Sequence, residues 1–267
     1  MKRFLTALAA LCFAAPFAHA GIVIVGETVL RSTVTPGATL AGTITILNNG
    51  SAPVDVRLYQ TDYSFKAAGE NDYGVPGTSP QSNAKWFTLD ANQLTVPTNE
   101  TITVNYRGAV PTDAKLAGSF WSLVMVEQTE AVVAPTKGAP TERRAAIRTV
   151  IRHAVQVVTD LGNPAPAELK VLGKNFEADA SGKAFSLDVE NRGQWLTRPD
   201  VSMEVFDKSG ASAAKVAAAK VRLYPACSFR YRFDLTSLKP GKYNALVMLD
   251  SGDDNVSGAQ YAFEIPQ

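Results

Sequence analysis

Two stretches of the chain, GSFWSLVMVE at Gly118–Glu127 and GKYNALVMLD at Gly241–Asp250, are near-copies of one another. Each closes the same order of features. TITILNNGSAPVDVRLY leads through TITVNY to Gly118, and SLDVENRGQWLTRPDVSMEVF leads through FRYRFDL to Gly241. Both contain a strand-like run, an Asn-x-Gly turn (Asn48 to Gly50, Asn191 to Gly193), a second run, and a leucine shortly before a Gly-x-aromatic entry into the LVM segment. A recurrence of this length implies one folding unit used twice.

The unit is made of strands. TITILNNG, VDVRLYQTDY, TITVNY, AFSLDVENRG, VSMEVFD and FRYRFDL are β-branched and aromatic runs separated by Gly, Pro, Asn and Asp. Several alternate apolar and polar residues, which buries one face of a sheet. The expected class is all-β, with two tandem immunoglobulin-like β-sandwich domains of about 100 residues each. Tyr243 is placed to make the corner hydrogen bond of that fold, whereas Phe120 has no hydroxyl to do so. Trp86, Trp121 and Trp195 are expected in cores or between strands.

Asn48 to Gly118 spans 118 − 48 = 70 residues and Asn191 to Gly241 spans 241 − 191 = 50. The extra length falls in KAAGENDYGVPGTSPQSNAK, so residues 64–85 are expected to form a long surface excursion. LGNPAP at 161–166 has the composition of a short stiff connection. The expected organisation is a first domain over 21–161, a linker over 162–166 and a second domain over 167–267.

Residues 1–20 read as a secretory signal. Lys2 and Arg3 precede the apolar FLTALAALCFAA, and Ala18-His19-Ala20 supplies a small-x-small cleavage site. Leu11 before Cys12 argues against a lipid anchor. Cleavage near Ala20 predicts a periplasmic or extracellular protein. It also removes two cations, leaving 26 − 2 = 24 Lys and Arg against 25 acids, and so turns a net charge of +1 into −1. That balance argues against nucleic-acid binding, which needs surplus cations.

Cys227 and His153 are then the remaining cysteine and histidine, so no internal disulfide is available and the core must hold the fold. Nucleophilic triads need a histidine base, and His153 lies in a hydrophobic run with no Gly-x-Ser-x-Gly turn elsewhere. One Cys and one His, 227 − 153 = 74 residues apart, make no zinc site. DSGDDNVSG brings Asp250, Asp253 and Asp254 together, but without the alternating acids and closing glutamate of a calcium loop it reads as a hairpin turn. No catalytic residue, metal site or cofactor is expected. Cys227 is expected to be a small buried residue of a strand. NGS, NET and NVS are read as chance matches to the glycosylation pattern or as turn chemistry.

ERRAAIRTVIRHAVQVV fits two periodicities. Ile147, Val150, Ile151, Ala154, Val155 and Val158 share a helical face opposite Arg144, Arg148 and Arg152. As a strand, Ile147, Thr149, Ile151, His153 and Val155 form one row. Seven of the twelve residues from Ile147 to Val158 are Val, Ile or Thr, which favours the strand. ASAAKVAAAK is similarly ambiguous, with enough alanine for a helical turn.

Export, two immunoglobulin-like domains and a basic-flanked strand before the linker together resemble the periplasmic chaperones of pilus assembly. VPTNETITVNYRGAVPTDAKLAGSFWSLVMVE is similar to that family's late first-domain strands. The resemblance implies that the last strand of the first domain, here Ile147–Val158, lends residues to an incomplete pilus or surface-protein subunit. Ile147, Thr149, Ile151 and Val155 would face that subunit. It also implies that basic residues of the inter-domain cleft hold the subunit's terminal carboxylate. Arg31 stands at the first such position, Gln156 falls at the second, and Arg152 is the nearest substitute. TPGATLAGTITILNNG also looks like immunoglobulin-like domains of bacterial surface proteins. The alternative is therefore a structural or adhesive envelope module binding cell wall or a surface protein.

Overall fold

The structure, a computed structural model, describes residues 21–129, 150–179, 182–252 and 256–266. Ten strands form the first half: β1 (Ile22–Val25), β2 (Val29–Val34), β3 (Thr39–Asn48), β4 (Val54–Phe65), β5 (Asn71–Gly74), β6 (Phe87–Leu89), β7 (Gln93–Val96), β8 (Thr101–Ala109), β9 (Gly118–Thr129) and β10 (Arg152–Leu161). Seven form the second: β11 (Leu169–Asp179), β12 (Gly182–Asn191), β13 (Asp200–Phe206), β14 (Ser212–Ala217), β15 (Ser228–Asp234), β16 (Gly241–Asp250) and β17 (Val256–Ile265). A 3-10 turn at Ala84–Trp86 is the one helical element among the described residues. No helix there is long and apolar enough to cross a membrane.

Each half is a sandwich. In the first, β1-β3-β8-β6 meets β2-β10-β9-β4-β5, with β7 also on β4, across Ile44, Ile46, Val104, Leu58, Val124 and Val157. In the second, β11-β12-β15 meets β14-β13-β16-β17 across Leu187, Phe233, Met203 and Val247. The sequence repeat is a repeat of topology. β9 runs antiparallel between β4 and β10, as β16 does between β13 and β17. β3 pairs with β8 as β12 pairs with β15. The fold is all-β, with two immunoglobulin-like sandwiches in tandem.

β9 departs from simple alternation because both its faces are covered. Phe120, Val124 and Val126 enter the first core, while Trp121 on the other face joins the second together with Phe65 and Val158. The halves therefore share apolar packing. The tryptophans are where the sequence placed them: Trp121 and Trp195 are buried, and Trp86 packs against the first core, 4.8 Å from Phe120 between ring centroids. The Tyr243 hydroxyl donates to the Lys239 carbonyl at 2.9 Å, the expected corner bond.

Four expectations need adjustment. ASAAKVAAAK provides β14, a strand rather than a helical turn, because pairing with β13 brings Ala214 and Val216 against the core and overrides alanine's helix preference. Cys227 is buried, but in the turn before β15 rather than in a strand. β10 begins at Arg152, after Val150 and Ile151; Ile147 and Thr149 lie outside the described residues. The 64–85 stretch is not a plain loop. β4 runs to Phe65, turns into β5, and the following residues pack between the two halves. Asp250 accepts the Gly252 N–H at 2.8 Å in a turn, whereas Asp253 and Asp254 lie outside the described residues.

Candidate partner-binding edge and inter-domain cleft

β10 has two unlike edges. Along one it pairs with β9 over its whole length, Arg152 to Leu161. Along the other it pairs, in parallel, with β2 only from Gln156 to Leu161. The cause is local: the first strand is broken at Gly26, whose φ of +94° swings the chain from β1 on one sheet to β2 on the other. Six residues of β2 reach no further up β10. Arg152–Val155 thus has a backbone edge that no described strand covers.

Alternate residues of β10 differ in role. Val155 and Val157 are buried in the first core, and His153 above them is partly buried, its Nε2 enclosed without a hydrogen-bond partner. Ile151 next along the chain is 47% exposed. On the opposite face Arg152 donates from Nε to Glu127 at 2.9 Å. Glu127 also accepts from the Tyr59 hydroxyl at 2.9 Å and from Arg57 at 3.3 Å. Burial works to raise the Glu127 carboxyl, but the Tyr59 bond and the Arg152 and Arg57 charges outweigh it and hold it below the usual carboxylate range.

Arg31 stands at the joint between the halves and is engaged there. Its Nε donates to Asp160 at 2.5 Å, and the other Asp160 oxygen accepts the Ser119 hydroxyl at 2.5 Å. Ser119 then crosses to the second half: its Oγ accepts the Leu196 N–H at 2.8 Å, and its own N–H donates to the Gln194 carbonyl at 2.8 Å. Arg31 retains a side chain 47% exposed. The two predicted cleft cations, Arg31 and Arg152, are thus on one sheet but held by separate acids.

Between the halves lies a cleft of about 370 Å³ with Tyr63, Phe65 and Tyr224 on its walls and Gln156 from β10. The Tyr224 hydroxyl donates to the Gln156 side chain. Burial pushes the Tyr224 phenol well up, so it stays a neutral donor. Lys66, Lys220 and Arg222 bring positive charge to this cleft against Glu70. Lys66 is bonded to the Ala226 carbonyl and Lys220 is paired with Asp200. Arg222 is exposed and makes no ion pair or side-chain hydrogen bond with the described residues. Sequence reasoning did not single out Asp160 or Arg222, because the fold alone brings Asp160 to Arg31 and Arg222 to the cleft wall.

Among the described residues no group of His, Cys, Asp and Glu is placed to hold a metal ion.

These features define a tandem immunoglobulin-like protein with a strand edge that no described strand covers, next to an inter-domain cleft. No family model matches the chain, and no curated protein matches it. Solved structures of fimbrial chaperones are similar to it. The class 5 fimbriae chaperone CfaA is 13% identical, over 92% of this chain and 100% of that one, with a TM-score of 0.42. A chaperone–tip adhesion subunit pre-assembly complex from the archaic chaperone-usher Csu pili of Acinetobacter baumannii is 11% identical, over 92% and 99%, with a TM-score of 0.45. The E. coli chaperone DraB is 12% identical, over 92% and 98%, with a TM-score of 0.39. At these identities no residue-by-residue correspondence follows.

Proposed function

We propose that the protein is an exported, non-enzymatic chaperone that binds pilus or surface-protein subunits by strand pairing along the open edge of β10. The contrast between the two edges of that strand supports this reading most directly: β9 covers one throughout, and β2 leaves Arg152–Val155 of the other free. A subunit strand laid there satisfies its backbone groups, while the row of Ile147, Thr149 and Ile151 supplies side chains to a subunit that lacks a strand; Val155, further along that row, is spent on the first core and is not available to a partner. Each buried isoleucine or valine contributes about 1.5–3 kcal/mol and each backbone hydrogen bond a net of about 1. Apolar donors therefore dominate affinity, and the hydrogen bonds set register.

A subunit terminus reaching down β10 arrives at Gln156 and the cleft. In this reading Arg222, which has no acid partner among the described residues, grips its carboxylate, and Arg31 and Arg152 border the path while held by Asp160 and Glu127. A signal at residues 1–20 delivers the protein to the periplasm, where such subunits pass.

The test is co-expression with an exported subunit lacking one strand, followed by size-exclusion chromatography. A one-to-one complex is expected, and Ile151→Asp should abolish it while leaving the circular dichroism of the free protein unchanged. Survival of the complex after that substitution would remove the strand-pairing mechanism. A protein that ignores such subunits but sediments with purified peptidoglycan would be an envelope module instead.

A further inference from the structure

The stretch between β4 and the 3-10 turn is organised around one carboxylate. Asp62, 4% exposed, receives the backbone N–H groups of Gly77 at 3.0 Å, Thr78 at 2.9 Å and Ser79 at 2.7 Å, together with the Ser82 hydroxyl. Successive N–H groups aimed at one anion fix the path of a loop more tightly than side-chain packing alone.

What this loop carries reaches the other half of the molecule. The Gln81 carbonyl accepts the Trp121 N–H at 2.9 Å, and the Gln81 side-chain amide donates to the carbonyls of Ser119 at 3.3 Å and Gln194 at 3.4 Å. Where the same stretch leaves β4, Lys66 donates to the Ala226 carbonyl at 2.7 Å and the Ala67 N–H to the Ser228 hydroxyl at 3.0 Å. The Phe65 ring lies in the second core, edge-on to Tyr224 at 6.4 Å. The excursion thus grips the second sandwich at both of its ends.

We infer that residues 62–83 are a strut that locks the second sandwich onto the first, with Asp62 as the residue that positions it. Domains joined by a short connection and a modest interface move relative to one another unless something ties them. Here the tie comes from an insertion in the first domain, and it leaves the cleft with a fixed opening.

Asp62→Asn in the full chain tests this. An amide keeps the shape but presents one acceptor and two donors to the converging N–H groups, so the loop loosens. The wild-type protein should unfold in one calorimetric transition with a scattering curve matching the structure. The variant should give two transitions, about 5 °C or more apart, and a larger radius of gyration. A folded variant with one transition and unchanged scattering would overturn the strut, as would a wild type that already unfolds in two steps. Should Asp62→Asn fail to fold, Gln81→Ala removes the bridge to Ser119 and Gln194 while sparing the Asp62 bonds. It is judged by the same two readouts, and unchanged scattering with a single transition again counts against the strut. No partner enters the experiment, so its result is separate from that of the strand-pairing test.

Discussion

Asn48 and Asn191 make the same set of hydrogen bonds, one in each sandwich. The Asn48 amide donates to the carbonyls of Ala52 at 2.8 Å and Val96 at 3.0 Å, while its oxygen accepts the Gly50 N–H at 2.9 Å. The Asn191 amide donates to Trp195 at 2.8 Å and Leu223 at 2.9 Å, and its oxygen accepts the Gly193 N–H at 2.9 Å. Both side chains are fully buried. Each ties its own turn, through the residue four places on, to a second segment brought alongside by the fold. Satisfied buried amides of this kind specify one packing, since every alternative leaves their polar atoms unpaired.

Replacing either by alanine removes three hydrogen bonds at a turn whose asparagine side chain is fully buried. Asn48→Ala and Asn191→Ala should each cost about 2–4 kcal/mol, measured by urea unfolding, with unchanged m-value. A loss below about 0.5 kcal/mol at either site would show that water replaces the amide without penalty.

Asp62 makes stability depend on pH. Burial works to raise its carboxyl, but the bonds from Ser82, Ser79, Gly77 and Thr78 outweigh burial and leave it below the ordinary value. A depressed folded value means the contribution is complete above the unfolded carboxyl's pKa of about 3.9 and fades as pH falls through the folded one. The stability gap between wild type and Asp62→Asn should be constant from pH 7 to about 5 and shrink below about 4. A gap that widens on acidification would reverse the assigned sign.

Gly118 opens β9 with φ at +116°, and a Cβ there would lie 2.5 Å from the Gln194 carbonyl oxygen. Gly118→Ala meets both backbone strain and a backbone clash across the joint between the halves. It should destabilise by about 1–3 kcal/mol or more and loosen the Ser119 contacts. A crystal structure or thermal scan indistinguishable from wild type would contradict that placement.

The Cys227 thiol is buried, and burial raises its pKa against the opposing effects of the Phe65 backbone and Lys66. Because the thiolate is the reactive form, native protein should react with Ellman's reagent slower than urea-unfolded protein by a factor on the order of 100. Rapid labelling under native conditions would mean the turn before β15 opens readily.

Much of this architecture is legible in the sequence. The copied LVM phrase, the two Asn-x-Gly turns and the alternating runs required a strand-rich unit used twice, because the two-residue period of a sheet writes itself into the chain. Tyr243 and the buried tryptophans were placed correctly for the same reason: their roles follow from local position in the unit. The alanine-rich β14 was not, because its conformation depends on β13 beside it.

What the sequence by itself determined is therefore the repeated strand-built unit, with its turns and the alternating faces of its strands. Tertiary structure alone decided the rest: that Arg31 meets Asp160, 129 residues away, that β2 stops short of the end of β10, and that the excursion after Asp62 reaches the second sandwich. Periodicity records which face of a strand is buried. It carries no record of which acid, edge or loop the closing of two sheets brings alongside, since those meetings are fixed by the path of the whole chain.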